Sequence, residues 1–583
     1  MNAADDVFER AARDPGHAAF ARKIDGTWQT VTSREFAEQV AGLAAGLIAA
    51  GIKPGDRVGV MSGTSYAWVL CDLAILTAGA VTVPVYETSS AAQVAWVLAD
   101  SGATAVFTGD EHCRAIVEQA NVSSVGRVWP MDPGTLDRLG AEGASVPGEA
   151  VRQRRLAVTP DSLATVVYTS GTTGRPKGCL LSHGNLAGEV GAVAVADGIS
   201  DQVLTERASL LLFLPLAHIL ARVVQFAAIH NGALTAHTSD VKNIAAELET
   251  FRPSLVLAVP RVFEKLHNAA ARKAAKARSA GLFRVAEETA IAYSRALEHG
   301  RPGPWSRIVH RLFDRLVYAK LRAAMGGRVT FAVSGGAPLS PRLAHFLRGA
   351  GVNILEGYGL TETTAGVTLN LPASQRIGTV GRPLPGWDVR IAADGEVLVR
   401  GPGVFGGYRR DERSTREAFD EDGWLRTGDL GRLDDGYLTI SGRKKDLIVT
   451  ATGKNVAPAR FEDRLRGHWL IEECMLVGDR RPYVGALVTL DPNGFADWKQ
   501  DHRKPASATV ADLRHDRDLV ATVQSAVDEI NQTVSHAEAV KRFEIVPARF
   551  DVSEELTPTQ KVRREYVLAK YADDVAALYA AES

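Results

Sequence analysis

The stretch TSGTTGRPKG occupies residues 169–178 and directly follows an apolar, β-rich run at residues 163–168. Glycines let a backbone turn its N–H groups inward, hydroxyl groups donate to phosphate oxygens, and a lysine supplies a positive charge. In open α/β sheets, ligands bind at loops beyond the carboxyl ends of strands. The stretch therefore predicts a polyphosphate-binding loop after a strand of such a sheet. The expected nucleotide-binding residues are Thr169, Ser170, Gly171, Thr172, Thr173, Gly174 and Lys177.

Two other loop types compete with this interpretation. A flexible surface loop can have the same Gly, Ser and Thr content, so the stretch taken alone leaves that alternative open. The GxxxxGK[ST] loop of kinases and GTPases does not match, because Pro176 stands where that motif needs a glycine. The sequence therefore disfavours a P-loop kinase or GTPase.

Composition and charge restrict the class of protein. A chain of 583 residues is expected to form at least two domains, and 46% hydrophobic with 23% charged residues is typical of a globular protein. A formal net charge of -1 argues against a nucleic-acid partner. Four cysteines without a CxxC pair, a polar amino terminus and no apolar run of about 18 residues favour a cytoplasmic protein.

The first part of the chain alternates short apolar strands with longer helical patterns. Strands are predicted at 57–61, 163–168, 329–333 and 352–355, and a helix at 67–76. This alternation predicts an α/β fold with mostly parallel sheets.

The pattern changes from residue 395 onward. Alternating strands at 396–400 and 436–440 predict an antiparallel β-subdomain. A hairpin of 474–477 with 484–490, helices and a strand at 543–546 then predict a small α+β unit. We therefore expect a large N-terminal domain at 1–444 and a small, mobile C-terminal domain at 445–583.

The complete string at 169–178 resembles the signature of the adenylate-forming superfamily, which includes acyl-CoA synthetases, peptide-synthetase adenylation domains and luciferases. EGYGLTET at 356–363 resembles the adenine and metal segment of that family, and SGGAP at 334–338 the backbone beside the adenine. Tyr358 can stack on a purine, Thr361 can bond the α-phosphate, and Glu362 can hold Mg²⁺. The resemblance implies further nucleotide-binding residues at Gly335, Gly336, Ala337, Glu356, Gly357 and Gly359, and a metal role for Thr169.

Three segments nearer the carboxyl terminus also resemble family motifs. WLRTGDL at 424–430 resembles the ribose-binding segment, in which Asp429 would accept hydrogen bonds from both ribose hydroxyls. Arg443 resembles an arginine that contacts ribose and phosphate. LTPTQKVRR at 556–564 resembles the segment with the catalytic lysine, here Lys561. Many relatives have a glycine before that lysine; this chain has Gln560, as long-chain fatty-acid members also do.

The segment LPLAHI at 214–219 resembles the one beside the acyl carboxylate, with His218 as a catalytic residue together with Thr361 and Lys561. A histidine of the core is the alternative for His218. Amino-acid-activating relatives place an aspartate just after this segment, whereas here Leu220, Ala221 and Arg222 follow. The sequence therefore favours an uncharged, apolar substrate.

Within the superfamily, the chain is most similar to bacterial long-chain fatty-acyl-CoA synthetases, through 80–90, 259–265 and a basic insert that ends at Arg328. The implied reaction converts ATP, a fatty acid and coenzyme A into acyl-CoA, AMP and diphosphate, with Mg²⁺ as cofactor. The resemblance also implies a hinge at Lys445 and a coenzyme A channel at Gly453 and Lys454.

Other functions stay open at this level. The alternatives are a fatty acyl-AMP ligase that delivers to a carrier protein, an enzyme that activates aryl or amino acids, and a nucleotide sensor without catalysis. The basic stretch 265–278 is either a solvated helix face or a surface attracted to anionic lipid, which predicts peripheral contact at the inner face of the membrane. A homodimer is among the expectations.

Overall fold

The computed structural model describes residues 2–169, 175–300, 302–451, 454–535, 538–551, 554–557 and 560–580. Within them the strands form sheets of nine, six, four, three and two strands. The three larger sheets build a large N-terminal domain, and the two smaller ones belong to a smaller C-terminal domain. The predicted α/β fold with a β-subdomain and a small α+β domain is confirmed.

The six-stranded sheet carries the phosphate loop. Its strands, in spatial order, are Arg127–Pro130, Ala103–Thr108, Arg57–Met61, Val81–Val85, Leu163–Thr169 and Lys177–Ser182. The first five pair in parallel, but Lys177–Ser182 runs antiparallel to Leu163–Thr169. The loop thus joins two antiparallel strands, whereas a P-loop connects a strand to a helix, in agreement with the exclusion of kinases and GTPases.

The nine-stranded sheet brings two predicted motifs together. Its strands, in spatial order, are Arg382–Pro383, Thr368–Leu369, Asn353–Tyr358, Phe331–Ser334, Leu255–Ala258, Ser209–Leu212, Leu234–His237, Ala18–Ile24 and Thr27–Thr32. Phe331–Ser334 and Asn353–Tyr358 are parallel neighbours, with Ser334 opposite Glu356. Because their carboxyl ends meet at one edge, SGGAP and EGYG lie side by side.

A buried ion pair fixes the packing between the sheets. Arg222 donates from Nε and Nη2 to Asp72 at 2.8 and 2.6 Å, and from Nη1 to Thr165 at 2.7 Å. Such a bidentate pair satisfies both buried charges. It holds the helix Ile219–Asn231 against the six-stranded sheet and so sets the position of His218 at the start of that helix.

The remaining sheets follow the predicted change of pattern. The four-stranded antiparallel sheet contains Asp388–Ile391, Glu396–Arg400, Leu425–Asp434 and Tyr437–Arg443. The turn Lys444–Asp446 follows, then the strand pair Ile448–Val449 and Asn455–Val456, and the three-stranded sheet Ile471–Val477, Val484–Leu490 and Val540–Ile545. The predicted boundary between 444 and 445 falls in this turn and stays a prediction.

Helices cover the sheets of both domains. In the N-terminal domain they are Asp5–Arg13, Ser33–Ala49, Tyr66–Thr77, Ala91–Ser101, Glu111–Ala120, Pro133–Glu142, Gly148–Leu156, His183–Ala194, Ile219–Asn231, Ile244–Phe251, Pro260–Lys276, Ala280–Glu298, Pro304–Phe313, Ala319–Ala323, Pro341–Gly349 and Glu412–Glu417. In the C-terminal domain they are Ala459–Arg466, Pro492–Asp501, Val510–Leu513, Arg517–Asn531, Arg564–Lys570 and Ala572–Tyr579. Among the residues described, none of the helices has the length and apolarity needed to cross a membrane.

Candidate active site

A cavity of about 2260 Å³ lies where strand ends of the N-terminal domain face the C-terminal domain. Single-ligand pockets are typically ~300–1,000 Å³, so this space can hold more than one substrate. Most predicted site residues line it: Thr169, Lys177, His218, Gly335, Gly336, Ala337, Glu356, Gly357, Tyr358, Gly359, Thr361, Glu362, Asp429, Arg443, Lys445 and Lys561. Residues 170–174 and Gly453 lie outside the described residues, and Lys454 is exposed outside the cavity lining.

One end of the cavity is organised around the Asp429 carboxylate. Asp429 is 4% exposed and is held on the strand Leu425–Asp434. The Tyr358 hydroxyl donates to its Oδ2 at 2.7 Å, and Arg443 Nε donates to its Oδ1 at 2.9 Å. Burial, followed by the nearby Asp429 charge, raises the pKa of Tyr358 well above its usual value, so the phenol stays a donor. Three residues predicted from separate segments therefore form one hydrogen-bonded unit.

The loop after the strand Phe331–Ser334 is shaped by its own backbone and by Glu356. Gly336 has a φ of 82°, a left-handed conformation that favours glycine. Glu356 Oε1 accepts a hydrogen bond from the Leu339 N–H at 3.0 Å, and burial raises the pKa of this carboxyl to about 8. Glu356, predicted to bind nucleotide, thus has its carboxyl engaged in holding the loop that faces the cavity.

The phosphate end contains a tyrosine that the sequence did not reveal. The Tyr408 hydroxyl donates to Glu362 Oε1 at 2.7 Å, and Lys177 Nζ lies 5.2 Å from the centre of the Tyr408 ring. Lys177 also lies 3.4 Å from Asp411 Oδ2 and donates to Ser414 Oγ. The only sequence signal for this tyrosine was its position directly after two glycines. In the structure, the backbone of 405–409 pairs with the strand Lys177–Ser182.

Lys561 enters the cavity from the C-terminal domain. Its segment is closed by hydrogen bonds with Thr557: the Thr557 N–H donates to the Lys561 carbonyl at 2.8 Å, and the Lys561 N–H donates to Thr557 Oγ1 at 3.0 Å. Protein atoms surround the ammonium although solvent in the cavity can reach it. This desolvation, then Arg443, lowers the pKa of Lys561, while Asp429 and Glu362 act in the opposite direction. We call this arrangement the inner contact between the domains.

His218 lies near Lys561 but in a less polar environment. Burial, then the charge of Lys561, lowers the pKa of His218 to about 4, so the imidazole is neutral at physiological pH. Its Nδ1 accepts a hydrogen bond from the Leu220 N–H at 3.2 Å and caps the helix Ile219–Asn231. The residue therefore has a structural role and also lines the cavity.

A second part of the cavity is apolar. It is lined by Val193, Ile199, Val203, Val223, Val224 and Ala227. The sequence predicted no acid here, yet the buried Glu189 borders this part. It accepts hydrogen bonds from the Gly366 N–H at 3.0 Å and from Trp387 Nε1 at 3.1 Å. Desolvation raises the pKa of Glu189 well above its usual value, against the hydrogen bonds from Trp387 and Gly366, and so favours the neutral acid.

An ionic cluster outside the cavity forms a second interdomain contact, the outer contact. Arg261 of the helix Pro260–Lys276 donates to Glu472 Oε1 at 3.0 Å and also pairs with Glu473. Arg466 lies 3.3 Å from Glu473 Oε2, and Arg549 pairs with Glu472.

This cluster changes the interpretation of the basic stretch 265–278. At its start, desolvation and Arg261 lower the pKa of Lys265, opposed by Glu472 and Asp491 of the C-terminal domain. Lys265 is exposed and lies at the edge of this interdomain contact.

No group of three or more His, Cys, Asp or Glu side chains that could hold a metal is found in the part of the chain that the structure describes. Glu362 instead presents one carboxylate to the cavity, where it accepts a hydrogen bond from the Tyr408 hydroxyl. Mg²⁺ commonly binds through one or two carboxylates together with substrate phosphates. The residues present therefore fit a magnesium nucleotide. Asp429 lies at one end of the cavity, and Lys177 and Glu362 lie at the other. Lys561 lies near the carboxylates of Asp429 and Glu362.

Comparisons with known proteins agree with this geometry. The model of the AMP-binding enzyme family matches residues 7–409, and that of the AMP-binding enzyme C-terminal domain matches residues 445–583. The long-chain-fatty-acid–CoA ligase FadD15 of Mycobacterium tuberculosis is 49% identical over 99% of this chain and 97% of its own length. The long-chain-fatty-acid–CoA ligase 6 of Homo sapiens is 30% identical over 98% of this chain and 86% of its own.

A solved structure shows the same fold at low identity. The anthranilate CoA ligase AuaEII in complex with anthranoyl-AMP is 19% identical, has a TM-score of 0.73, and aligns over 99% of this chain and 98% of its own. The resemblance predicted from the motifs is confirmed. Because the family model covers well over half of the sequence and relatives match it almost end to end, the chain belongs to the AMP-binding enzyme family.

Proposed function

We propose that this protein is an AMP-forming long-chain fatty-acid–CoA ligase. It converts ATP, a fatty acid and coenzyme A into acyl-CoA, AMP and diphosphate through an acyl-adenylate. The observation that carries the proposal is the inner contact, in which Lys561 lies in one cavity with Glu362, Asp429 and Arg443. Relatives named as long-chain-fatty-acid–CoA ligases support the substrate class.

In the first half-reaction, a carboxylate oxygen of the fatty acid attacks the α-phosphorus of ATP, and the bond from that phosphorus to diphosphate breaks. Two anions must approach each other, so positive charge has to be in place beforehand. Lys561 supplies positive charge between the fatty-acid carboxylate and the α-phosphate. Thr361 hydrogen-bonds to the α-phosphate, and Lys177 contacts the β- and γ-phosphates. Glu362, with Thr169, would hold Mg²⁺, which would supply further positive charge to the phosphates.

The nucleoside is held by the other end of the cavity. Asp429 accepts from the ribose hydroxyls, and Arg443 fixes that carboxylate and contacts the phosphate. The adenine lies between Tyr358 and the backbone of Gly335–Ala337. Gly357 and Gly359 leave space for the nucleotide, and Glu356 acts by holding the adjacent loop.

The acyl chain occupies the apolar part of the cavity. Each buried CH₂ contributes about 0.8 kcal/mol, so roughly eight additional methylenes add up to ~6 kcal/mol as an upper limit. A neutral His218 suits such a chain because it places no charge beside it, and the raised pKa of Glu189 favours its uncharged form. This supports selection of long, uncharged acyl chains.

In the second half-reaction, the sulfur of coenzyme A attacks the acyl carbonyl, the bond to AMP breaks, and the thiol proton leaves to solvent. Lys561 occupies the cavity, so the C-terminal domain has to rotate before the thiol can approach. Lys445 is the proposed hinge, in the turn Lys444–Asp446 between the domains 1–444 and 445–583. Rotation would bring Gly453 and Lys454 to the coenzyme A channel.

Product analysis tests the proposal. The enzyme is incubated with Mg-ATP and saturated fatty acids of graded length, first without and then with coenzyme A. We expect diphosphate and acyl-adenylate without coenzyme A, and AMP and acyl-CoA with it, with kcat/KM rising with chain length. ADP as product contradicts the proposal; acyl transfer only to a carrier protein identifies a fatty acyl-AMP ligase. A homodimer and contact with an anionic membrane remain predictions.

A further inference from the structure

Two consecutive helices of the basic insert expose unusually many large apolar side chains. Nearly half of the exposed large hydrophobic residues in the described part of the chain lie between residues 282 and 316. Four belong to the helix Pro304–Phe313 and the turn of π-helix that continues it: Trp305 is 75% exposed, Ile308 57%, Leu312 56% and Leu316 42%. The neighbouring helix Ala280–Glu298 adds Leu282, Val285 and Leu297.

The four side chains are spaced by three and four residues, so they lie along one face of the helix. We call this face the exposed stripe: Trp305, Ile308, Leu312 and Leu316. The opposite side of the same helix is packed into the domain through the buried Phe313 and Tyr318. The exposed stripe is therefore not the buried face of the helix but an additional apolar face.

Exposed arginines accompany the exposed stripe. Arg307, Arg311 and Arg315 recur every four residues and form a second row along the helix, the arginine row. The acid on this helical segment, Asp314, is neutralised by Arg322 at 2.7 Å. The helix thus presents apolar side chains and unbalanced positive charge together, as helices that lie in the interface of a membrane do.

We propose that the exposed stripe and the arginine row dock the enzyme on an anionic lipid bilayer. Tryptophan and aliphatic side chains insert at the boundary between headgroups and acyl chains, and the arginines pair with lipid phosphates. The choice of a bilayer rests in part on the proposed function, because long-chain fatty acids partition into bilayers. This surface is separate from the basic stretch 265–278, which begins at Lys265 close to Glu472 and Asp491 of the C-terminal domain.

A second copy of this chain fits the surface less well. In a two-fold dimer the same patch contacts itself, which would bring two arginine rows together. Like charges placed opposite each other disfavour such a contact, and interface cores are depleted of charged residues. Anionic headgroups complement the row instead.

The test is sedimentation of the purified full chain with vesicles, without ATP, fatty acid or coenzyme A. Vesicles of phosphatidylcholine alone are compared with vesicles that also contain phosphatidylglycerol, at low and high salt. We expect binding to the anionic vesicles, weakened by salt. The triple variant Trp305→Ser, Ile308→Ser, Leu312→Ser and the triple variant Arg307→Gln, Arg311→Gln, Arg315→Gln should each lower the partition coefficient by about tenfold or more.

Matched controls remove apolar side chains elsewhere. Leu156→Ser with Val241→Ser alters two other exposed residues, 54% and 52% exposed, and should bind vesicles like the wild type. Acyl-CoA formation with detergent-dispersed fatty acid should stay normal in all variants, which separates docking from catalysis. Equal binding by all variants, binding independent of anionic lipid, or no binding overturns the proposal. So does a stripe-dependent dimer in sedimentation velocity, which would identify a second copy as the occupant.

Discussion

Two of the contacts between the C-terminal domain and the large domain, the inner and the outer contact, differ in how their charges are arranged. At the inner contact, desolvation and Arg443 lower the pKa of Lys561, so its charged form is disfavoured. At the outer contact, arginines of both domains pair with Glu472 and Glu473 of the C-terminal domain. Desolvation lowers the pKa of Arg466 there, but the negative charges of Asp463 and Glu473 outweigh desolvation and raise this pKa above its usual value.

The inner contact therefore serves the chemical step, whereas the outer contact serves the orientation of the C-terminal domain. The outer contact joins the domains through ion pairs between Arg261 and the buried Glu472 and Glu473, and it holds the C-terminal domain in the orientation that places Lys561 in the cavity. At the inner contact, desolvation and Arg443 outweigh the carboxylates of Asp429 and Glu362, and the negative charges of a bound fatty-acid carboxylate and triphosphate would favour the ammonium form of Lys561. We therefore expect changes at the inner contact to abolish a chemical step, and changes at the outer contact to shift an equilibrium between orientations.

The largest expected effect comes from Lys561→Ala. Loss of one preorganised electrostatic donor typically costs ~10²–10³ in rate, so diphosphate release from ATP and fatty acid should slow by about that factor. Transfer from a preformed acyl-adenylate to coenzyme A should be affected much less, since Lys561 leaves the cavity before that step. Single-turnover assays of the two half-reactions measure the two rates separately. Equal slowing of both would contradict the separation.

The next largest effect is expected for Lys445→Pro. This variant tests whether the C-terminal domain rotates during turnover and leaves the two contacts between the half-reactions. Proline fixes φ near roughly −65° and restricts the preceding residue, so the hinge cannot adopt a second conformation. Adenylate formation should stay near normal, whereas thioester formation should fall by about 10²-fold, the cost of a misplaced reacting group.

Lys445→Ala is the matched control for the hinge. It removes the same side chain but leaves the backbone free, and both half-reactions should proceed close to the wild-type rate. A folded Lys445→Pro enzyme that makes acyl-CoA at the wild-type rate would rule out the hinge.

Much of the secondary structure of both domains could be predicted because its determinants are local. The run 163–168 became the strand Leu163–Thr169, and 484–490 became Val484–Leu490. Tyr358 lines the cavity at the end of Asn353–Tyr358, a strand that the sequence predicted at 352–355. Asp429 lies in the middle of Leu425–Asp434, a strand that the sequence did not predict, so only its motif indicated that it belongs to the site.

Contacts between distant segments could not be predicted in this way. Glu189 and Gly366 are 177 residues apart, and Arg261 and Glu472 are 211 apart. Nothing in the local pattern around Arg261 distinguishes an arginine that pairs with another domain from one in solvent. The same holds for Trp305 and Leu312, whose spacing predicts a helix but not which face is exposed.

A smaller effect is expected at the outer contact. Arg261→Gln removes one charge from the pairs with Glu472 and Glu473 and weakens the orientation that forms the adenylate. Adenylate formation should slow by about three- to tenfold, equivalent to ~1 kcal/mol, whereas thioester formation should be unchanged or faster. Lys273→Gln, exposed on the same helix, is the matched control and should change neither rate. Slowing of both half-reactions in Arg261→Gln would show that the cluster acts on stability alone.

The smallest effect is a pH dependence at the inner contact. Lys561 acts as an ammonium, and its pKa is lowered from 10.5 chiefly by desolvation, so the charge is lost as the pH rises through that lowered value. The kcat/KM for diphosphate release, which reports the free enzyme, should therefore fall on the alkaline side. Lys561→Arg should remove this fall, whatever its absolute rate, because an arginine is not deprotonated in proteins. The arginines of the outer contact keep their charge over the same range and add no alkaline transition. His218, with a pKa lowered to about 4 by burial, should add none near neutrality. A transition near pH ~6.5 that disappears in a His218→Gln variant would show instead that the imidazole titrates during the reaction and is not a neutral part of the acyl site.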